Sequence, residues 1–235
     1  MPAGDVGFLF TCEHGGKRIP RRWAALFRPH RALLNSHRGW DPGALGLARR
    51  LAKTFDAPLI ESQTSRLLVD LNRSEHHRAL FSPITHVLPR DERDRILDEH
   101  YRPYRDQVVA AADALIGVGR RIVHVSSHSF VPELDGEVRS ADIGLLYDPR
   151  RALEAALCDA WAAALTAELP EVSVRRNYPY RGNADGLTTS LRRRYRADVY
   201  LGIEIELNQR LLVRPRLYRQ VCSAVGATLV GIARS

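Results

Sequence analysis

Apolar positions along this chain fall into two alternating patterns. Short apolar runs closed by glycine or by a polar cluster read as buried strands. Stretches with an apolar residue every third or fourth place read as helices. Val6 to Thr11 is the first run, and it ends in Cys12-Glu13-His14-Gly15-Gly16. Pro42 to Thr54 has Leu45, Leu47, Ala48 and Leu51 at helical spacing, with Asp41 before Pro42 as an N-cap and first-turn pair. Pro58 to Ile60 and Arg66 to Leu71 read as further apolar runs, the second taken as a third strand. Asp91 to Ile116 is helical, with Pro103 as a kink or break, and Gly117 to Gly119 ends it. Ile122 to Val125 closes on Ser126-Ser127-His128-Ser129-Phe130, and Ile143 to Tyr147 follows. A helix is expected from Pro149 through Leu165, then short strands at Val172 to Val174 and Val199 to Leu207. A closing helix is expected over Val213 to Ile232, with Gly226 its weak point.

Strands alternating with helices predict an α/β fold, a mainly parallel mixed sheet covered by helices on both faces. In such sheets ligands bind beyond the carboxyl ends of the strands. The polar clusters fall at those ends: Glu13 and His14, then Asp70, Asn72 and Arg73, then His128, then Glu206 and Asn208. The length of 235 residues suits one domain spanning 1–235, and no internal repeat or low-complexity linker divides it.

Composition narrows the class. With no run of about 18 apolar residues, no membrane span is expected. Met1 to Phe10 lacks a basic segment followed by an apolar one, so no secretory leader is expected. Three widely spaced cysteines, Cys12, Cys158 and Cys222, form no Cys-x-x-Cys pair. They point to a reducing cytoplasm and away from a thiolate zinc site. The net charge of +8 raises nucleic acid as a partner. Yet Lys17 and Lys53 are the only lysines, and arginine is spread along the whole chain. The densest run, Arg192-Arg193-Arg194, has few aromatic neighbours for base stacking.

The candidate chemistry lies at the strand ends. On a strand, Glu204 and Glu206 share one face while Ile203, Ile205 and Leu207 share the other. Two carboxylates there mean either a solvated strand face or a functional cleft. His14 precedes two glycines that let a backbone approach closely. His128 is bracketed by small serines. Two such imidazoles suit zinc, with a carboxylate completing the set and one position left for water. His124, inside a strand, reads as a packing residue; His37, His76, His77, His86 and His100 lie in polar stretches and read as surface or loop residues. The chain has no His-Glu-x-x-His, no phosphate loop, no dinucleotide fingerprint and no nucleophile elbow around Ser126, Ser127 or Ser129. In Arg66-Leu67-Leu68-Val69-Asp70-Leu71-Asn72-Arg73, two arginines bracket an Asp and an Asn. Arginine pairs with carboxylates through two parallel hydrogen bonds, so Asp70 can orient one guanidinium.

Five short motifs occur in order: Cys12-Glu13-His14-Gly15-Gly16 with Ile19-Pro20, Val69-Asp70-Leu71-Asn72-Arg73, Ser127-His128-Ser129-Phe130, Asn177-Tyr178-Pro179-Tyr180-Arg181-Gly182, and Glu204-Ile205-Glu206-Leu207-Asn208-Gln209. Together they resemble the N-formylglutamate amidohydrolase family, related to aspartoacylases and zinc carboxypeptidases. The resemblance implies a zinc-carboxypeptidase-like (phosphorylase/hydrolase-like) fold. It also implies a zinc-dependent hydrolase of amino-acid metabolism, cleaving the amide of an N-formyl or N-acyl amino acid. By that resemblance His14 and His128 are zinc ligands. The third ligand is Asp41 or, as the alternative, Glu13; Lys17 stands where carboxypeptidases have the Glu of His-x-x-Glu. The family pattern selects Glu206 as general base and the aspartoacylase pattern selects Glu204. Arg66, Arg73 and Arg181 would hold the substrate carboxylate, with Asn72 helping to place it. Two other classes are compatible with the chain: a homologue that binds an acidic metabolite without turnover, and a basic nucleic-acid-binding protein.

Overall fold

The structure is a computed structural model and describes residues 6–234, so the reading of Met1 to Phe10 falls partly outside the described residues. Strands β1 (Val6–Cys12), β2 (Leu59–Glu61), β3 (Arg121–Phe130), β6 (Ile143–Leu146), β7 (Val174–Arg176) and β8 (Tyr200–Asn208) form one sheet, and β4 (Glu133–Leu134) pairs with β5 (Glu137–Val138) in a separate hairpin. The sheet order is β2-β1-β3-β8-β6-β7. All neighbours are parallel except β6 and β8, which run antiparallel. The helices are α1 (Ala24–Phe27), α2 (Arg31–Asn35), α3 (Ala44–Phe55), α4 (Pro83–His86), α5 (Arg90–Ile96), α6 (Arg102–Gly117), α7 (Ala152–Glu168), α8 (Leu187–Arg194) and α9 (Pro215–Arg234). None is long and apolar enough to cross a membrane.

Strand alternation sorts the core into two layers. Val123 and Val125 of β3, with Ile203 and Ile205 of β8, pack against Leu47 of α3, Trp161 of α7 and Val225 of α9. The opposite face takes Ile122 and Tyr200 against Val108 of α6 and Leu191 of α8, together with Leu67 to Leu71. On this second face the carboxyl halves of the strands turn polar. The β3–β8 register sets Ser126 opposite Glu204 and His128 opposite Glu206.

The structure corrects several expected boundaries. Arg66 to Leu71 is not a strand but a buried turn, because its amides bond to loop carbonyls: Leu68 N–H to Ser65 O, and Asp70 N–H to Leu80 O at 2.8 Å. Asp41 does not cap α3 with its side chain. Gly43, at φ +85°, occupies the N-cap, and helix starts at Ala44. The long helical stretch does not break at Pro103. A π-helical turn, Leu97–Tyr101, comes just before α6 and absorbs the missing proline N–H. The helix expected from Pro149 begins at Ala152, and α9 runs unbroken through Gly226. The polar stretch Ser126 to Phe130, read as the close of a strand, is itself strand.

Candidate metal centre

His14 leaves β1 on a tight turn. A Cβ on Gly16 would stand 2.6 Å from Gln63 O and 2.8 Å from its Cα, so this approach of two loops requires glycine. His14 O accepts from Asp41 N–H at 2.9 Å, which fixes Asp41 beside the end of β1. His128 arrives from the neighbouring strand β3. The imidazoles of His14 and His128 stand 5.1 Å apart, centroid to centroid. Asp41 Oδ2 lies 2.9 Å from His128 Nδ1 and 3.4 Å from His14 Nδ1. One donor atom from each of the three residues falls within 4.8 Å of the others, and all three residues are buried.

The far nitrogens of both rings are held by further carboxylates. His14 Nε2 lies 2.7 Å from Asp70 Oδ1, and His128 Nε2 lies 3.0 Å from Glu13 Oε2. Each carboxylate is placed to accept the Nε2 proton of its imidazole, which would leave the Nδ1 lone pair for a bound cation on the side of Asp41. Glu13 is wholly buried and also accepts from Ser126 Oγ at 2.5 Å and Tyr104 OH at 2.8 Å. It therefore sits behind His128, while Asp41 faces both imidazoles. Asp70 accepts from Arg66 Nη2 on its other oxygen at 3.0 Å, and Arg66 Nη1 donates to Asp41 Oδ1 at 3.2 Å.

Electrostatics follow this wiring. Burial alone would raise the Asp41, Glu13 and Asp70 carboxyls. The histidines, with Arg66 for Asp41 and Asp70, outweigh it and hold all three below the ordinary carboxylate range. Against its own burial, His128 is held well above the ordinary imidazole range by Asp41 and Glu13. Glu206 goes the other way: burial, aided by the like charges of Asp41 and Glu204, pushes it up to about 8. Its Oε2 is buried with no hydrogen-bond partner among the described residues. An orphaned carboxylate oxygen beside a two-nitrogen, one-oxygen donor set fits a bound cation, the charge that would compensate it.

A cavity of about 220 Å³ opens onto these groups and is also lined by Asn72, Arg73, Arg181 and Glu204. The two glutamates of β8 differ. Glu204 accepts from Thr188 Oγ1 at 2.7 Å, whereas Glu206 has the free oxygen. The three arginines differ as well. Arg66 is spent on Asp41 and Asp70; Arg73 gives Nη1 to Asp185 O at 2.9 Å; Arg181 is exposed and has no side-chain partner among the described residues. Asn72 receives the Leu187 N–H at 2.7 Å, tying the start of α8 to the site, and its Nδ2 lies 3.4 Å from His128 Nε2.

Four groups of this centre escape the sequence reading. Ser126 carried a signal, since it shares a strand face with His128 two places away. Tyr104, Thr188 and Asp185 come from distant helix and loop positions and carried none. His124 lies outside the centre, buried between Thr11 Oγ1 at 2.9 Å and Tyr200 OH at 2.7 Å.

Comparison with known proteins places this geometry in context. A family model described as N-formylglutamate amidohydrolase matches residues 6–213. No curated protein matches the chain. The crystal structure of gene product Atu2144 from Agrobacterium tumefaciens is similar, with a TM-score of 0.79 and 32% identity, over 98% of this chain and 93% of that one. An N-formylglutamate amidohydrolase from Ralstonia eutropha shares the fold at a TM-score of 0.72 and 18% identity, over 100% of this chain and 97% of that one.

Proposed function

The chain belongs to the N-formylglutamate amidohydrolase family, and from that premise we propose that it is a zinc-dependent hydrolase of N-formyl or N-acyl amino acids. The observation that carries the reading is the buried His14, Asp41 and His128 set with the unpartnered oxygen of Glu206 beside it. Two imidazoles and one carboxylate suit zinc and leave a position open for chemistry. Bound there, the ion would supply Lewis acidity, polarising the scissile carbonyl and making a nearby water more acidic.

The remaining steps belong to side chains. Glu206 takes the proton of the attacking water and returns it to the departing amine nitrogen. Beside an added positive charge its carboxyl drops from the raised value of about 8 towards the range where a base works at neutral pH. Glu204, engaged by Thr188, lines the cavity next to it. Arg73 and Arg181 hold the substrate carboxylate, and Asn72 borders it. Arg66 acts at one remove, by holding Asp41 and Asp70 in place.

The deciding experiment is metal analysis of the purified protein, combined with a panel of N-acyl amino acids that includes N-formyl-L-glutamate. Stoichiometric zinc with release of a free amino acid is the expected result. Zinc and ligand binding without turnover would leave a metabolite-binding homologue, and absence of any metal would end the reading.

A further inference from the structure

The run Arg192-Arg193-Arg194 divides by burial. Arg193 and Arg194 are exposed, while Arg192 points inward and pairs with Glu154, which is wholly buried. The Arg192 Nε donates to both Glu154 oxygens at 3.0 Å. Glu154 Oε1 also receives Gly202 N–H, and Oε2 receives Asp148 N–H, each at 3.0 Å. Neither residue touches the cavity, and no step of the proposed chemistry uses them.

The other guanidinium nitrogens of Arg192 reach two backbone carbonyls that do bear on the site. Nη2 donates to Gly202 O at 2.6 Å, two residues before Glu204 on β8. Nη1 donates to Gly182 O at 2.6 Å, in the residue that follows Arg181. Gly182 is held from its other side as well, its N–H donating to Asn177 Oδ1 at 3.0 Å. A Cβ at Gly182 would collide with the backbone of Leu146 and Tyr147, so this segment lies directly on the end of β6. One guanidinium thus joins the segment that carries Arg181 to the strand that carries Glu204 and Glu206.

We propose that Arg192, charge-balanced by Glu154, is a positioning residue that sets Arg181 over the cavity and thereby fixes the distance between the substrate-carboxylate contact and the catalytic carboxylate. This rests on the reading of Arg181 as a carboxylate contact in an amidohydrolase. The physical need is plain: Arg181 is exposed and its side chain has no partner among the described residues, so its backbone anchorage is what orders it before substrate arrives. A planar guanidinium spreads five N–H donors over three nitrogens and so reaches a carboxylate and two carbonyls on different sides, whereas the three donors of an ammonium share one nitrogen.

The test uses the full chain carrying Glu154→Gln with Arg192→Met, a neutral pair whose single amide oxygen still accepts from one of the two N–H groups, Asp148 or Gly202, that Glu154 holds. Kinetics on N-formyl-L-glutamate should show KM raised about tenfold with kcat within about twofold of wild type. The double substitution should add nothing to Arg181→Ala, because two changes acting through one contact are not additive. Hydrogen exchange read by mass spectrometry should quicken in residues 177–186 and stay unchanged in β1 and β3. Should that pair fail to fold, Arg192→Lys keeps the ion pair, loses carbonyl contacts, and should give a smaller rise in KM in the same direction. An unchanged KM, additivity with Arg181→Ala, or a fall in kcat alone overturns the proposal. If wild type cleaves no member of the N-acyl amino acid panel, the functional reading fails separately. Exchange then decides the clamp by itself, unaltered rates in 177–186 sinking it and faster rates upholding it.

Discussion

Glu204 and Glu206 stand two residues apart on one strand face, yet their surroundings give them different chemistry. Glu204 already accepts a hydroxyl hydrogen bond from Thr188. Glu206 is buried, raised to about 8, and has an oxygen with no partner among the described residues. A proton acceptor needs a free lone pair and a pKa near the working pH; Glu206 has the first, and a bound cation would bring its raised pKa down to the second. Glu206→Gln should lower kcat by about 10²- to 10⁴-fold with bound metal retained, whereas Glu204→Gln should cost about tenfold or less. The opposite ranking would move the base to Glu204. Asp41 and Glu13 separate in the same way, since one faces both imidazoles and the other sits behind one of them. Asp41→Ala should abolish stoichiometric metal binding. Glu13→Gln should keep the metal but weaken its affinity by about 10- to 100-fold, read by competition with a chelator. Equal losses in the two variants would contradict this division of labour.

At the scale of elements, the parallel pairing of β3 with β8 does most to assemble the centre. Its register alone brings His128 to Glu206 and Ser126 to Glu204. Deeper in the same face it buries His124 between Thr11 of β1 and Tyr200 of β8. Burial lowers the His124 pKa from 6.5 to about 4, so the folded chain keeps this ring neutral. The unfolded chain takes up a proton at about pH 6.5, and the folded chain does not until about pH 4. The stability from this site is therefore complete above about pH 6.5 and is lost as pH falls towards 4. The loss is on the order of 3 kcal/mol, at 1.36 kcal/mol per unit. Denaturant titrations between pH 7 and pH 4 should show a shallower decline for His124→Gln than for wild type; parallel declines would remove His124 as a cause. Most of these elements could be read from period and punctuation, because β1, β3, β8 and α9 each carry a clear pattern. Arg66 to Leu71 misled, since its apolar residues are buried by turns rather than by a ladder. The small helix α8 gave no signal, because Thr188-Thr189-Ser190 in its first half are poor helix formers and Gly186 at its N-cap has no side chain to cap it.

For the whole molecule, the list of site residues was more legible than their arrangement. His14, His128, Glu206 and Asp70 stand out because histidines and carboxylates interrupt apolar runs. Their meeting depends on a strand order in which β8 inserts between β3 and β6, which no local pattern encodes. The division among Arg66, Arg73 and Arg181 was equally hidden, because only the fold decides which arginine finds an internal acid. The same holds for the charge of +8. Arg22, Arg49, Arg102, Arg176, Arg194 and Arg196 each pair with a carboxylate at the surface, while Arg66 and Arg192 pair inside. Of the densest basic run, Arg192 is buried and Arg194 bonds Asp113, leaving Arg193 alone of the three without an acidic partner among the described residues. A phosphate backbone needs a row of free cations that can each displace a counterion, and paired arginines must first break their own contacts. Binding to a duplex or single strand of about 20 nucleotides should therefore be weak at about 150 mM salt, with log K falling by about two or less per tenfold rise in salt. Fluorescence anisotropy across a salt series measures this directly. On the duplex, a slope near −6 would mean about seven phosphates neutralised and would restore nucleic acid as a partner of this chain.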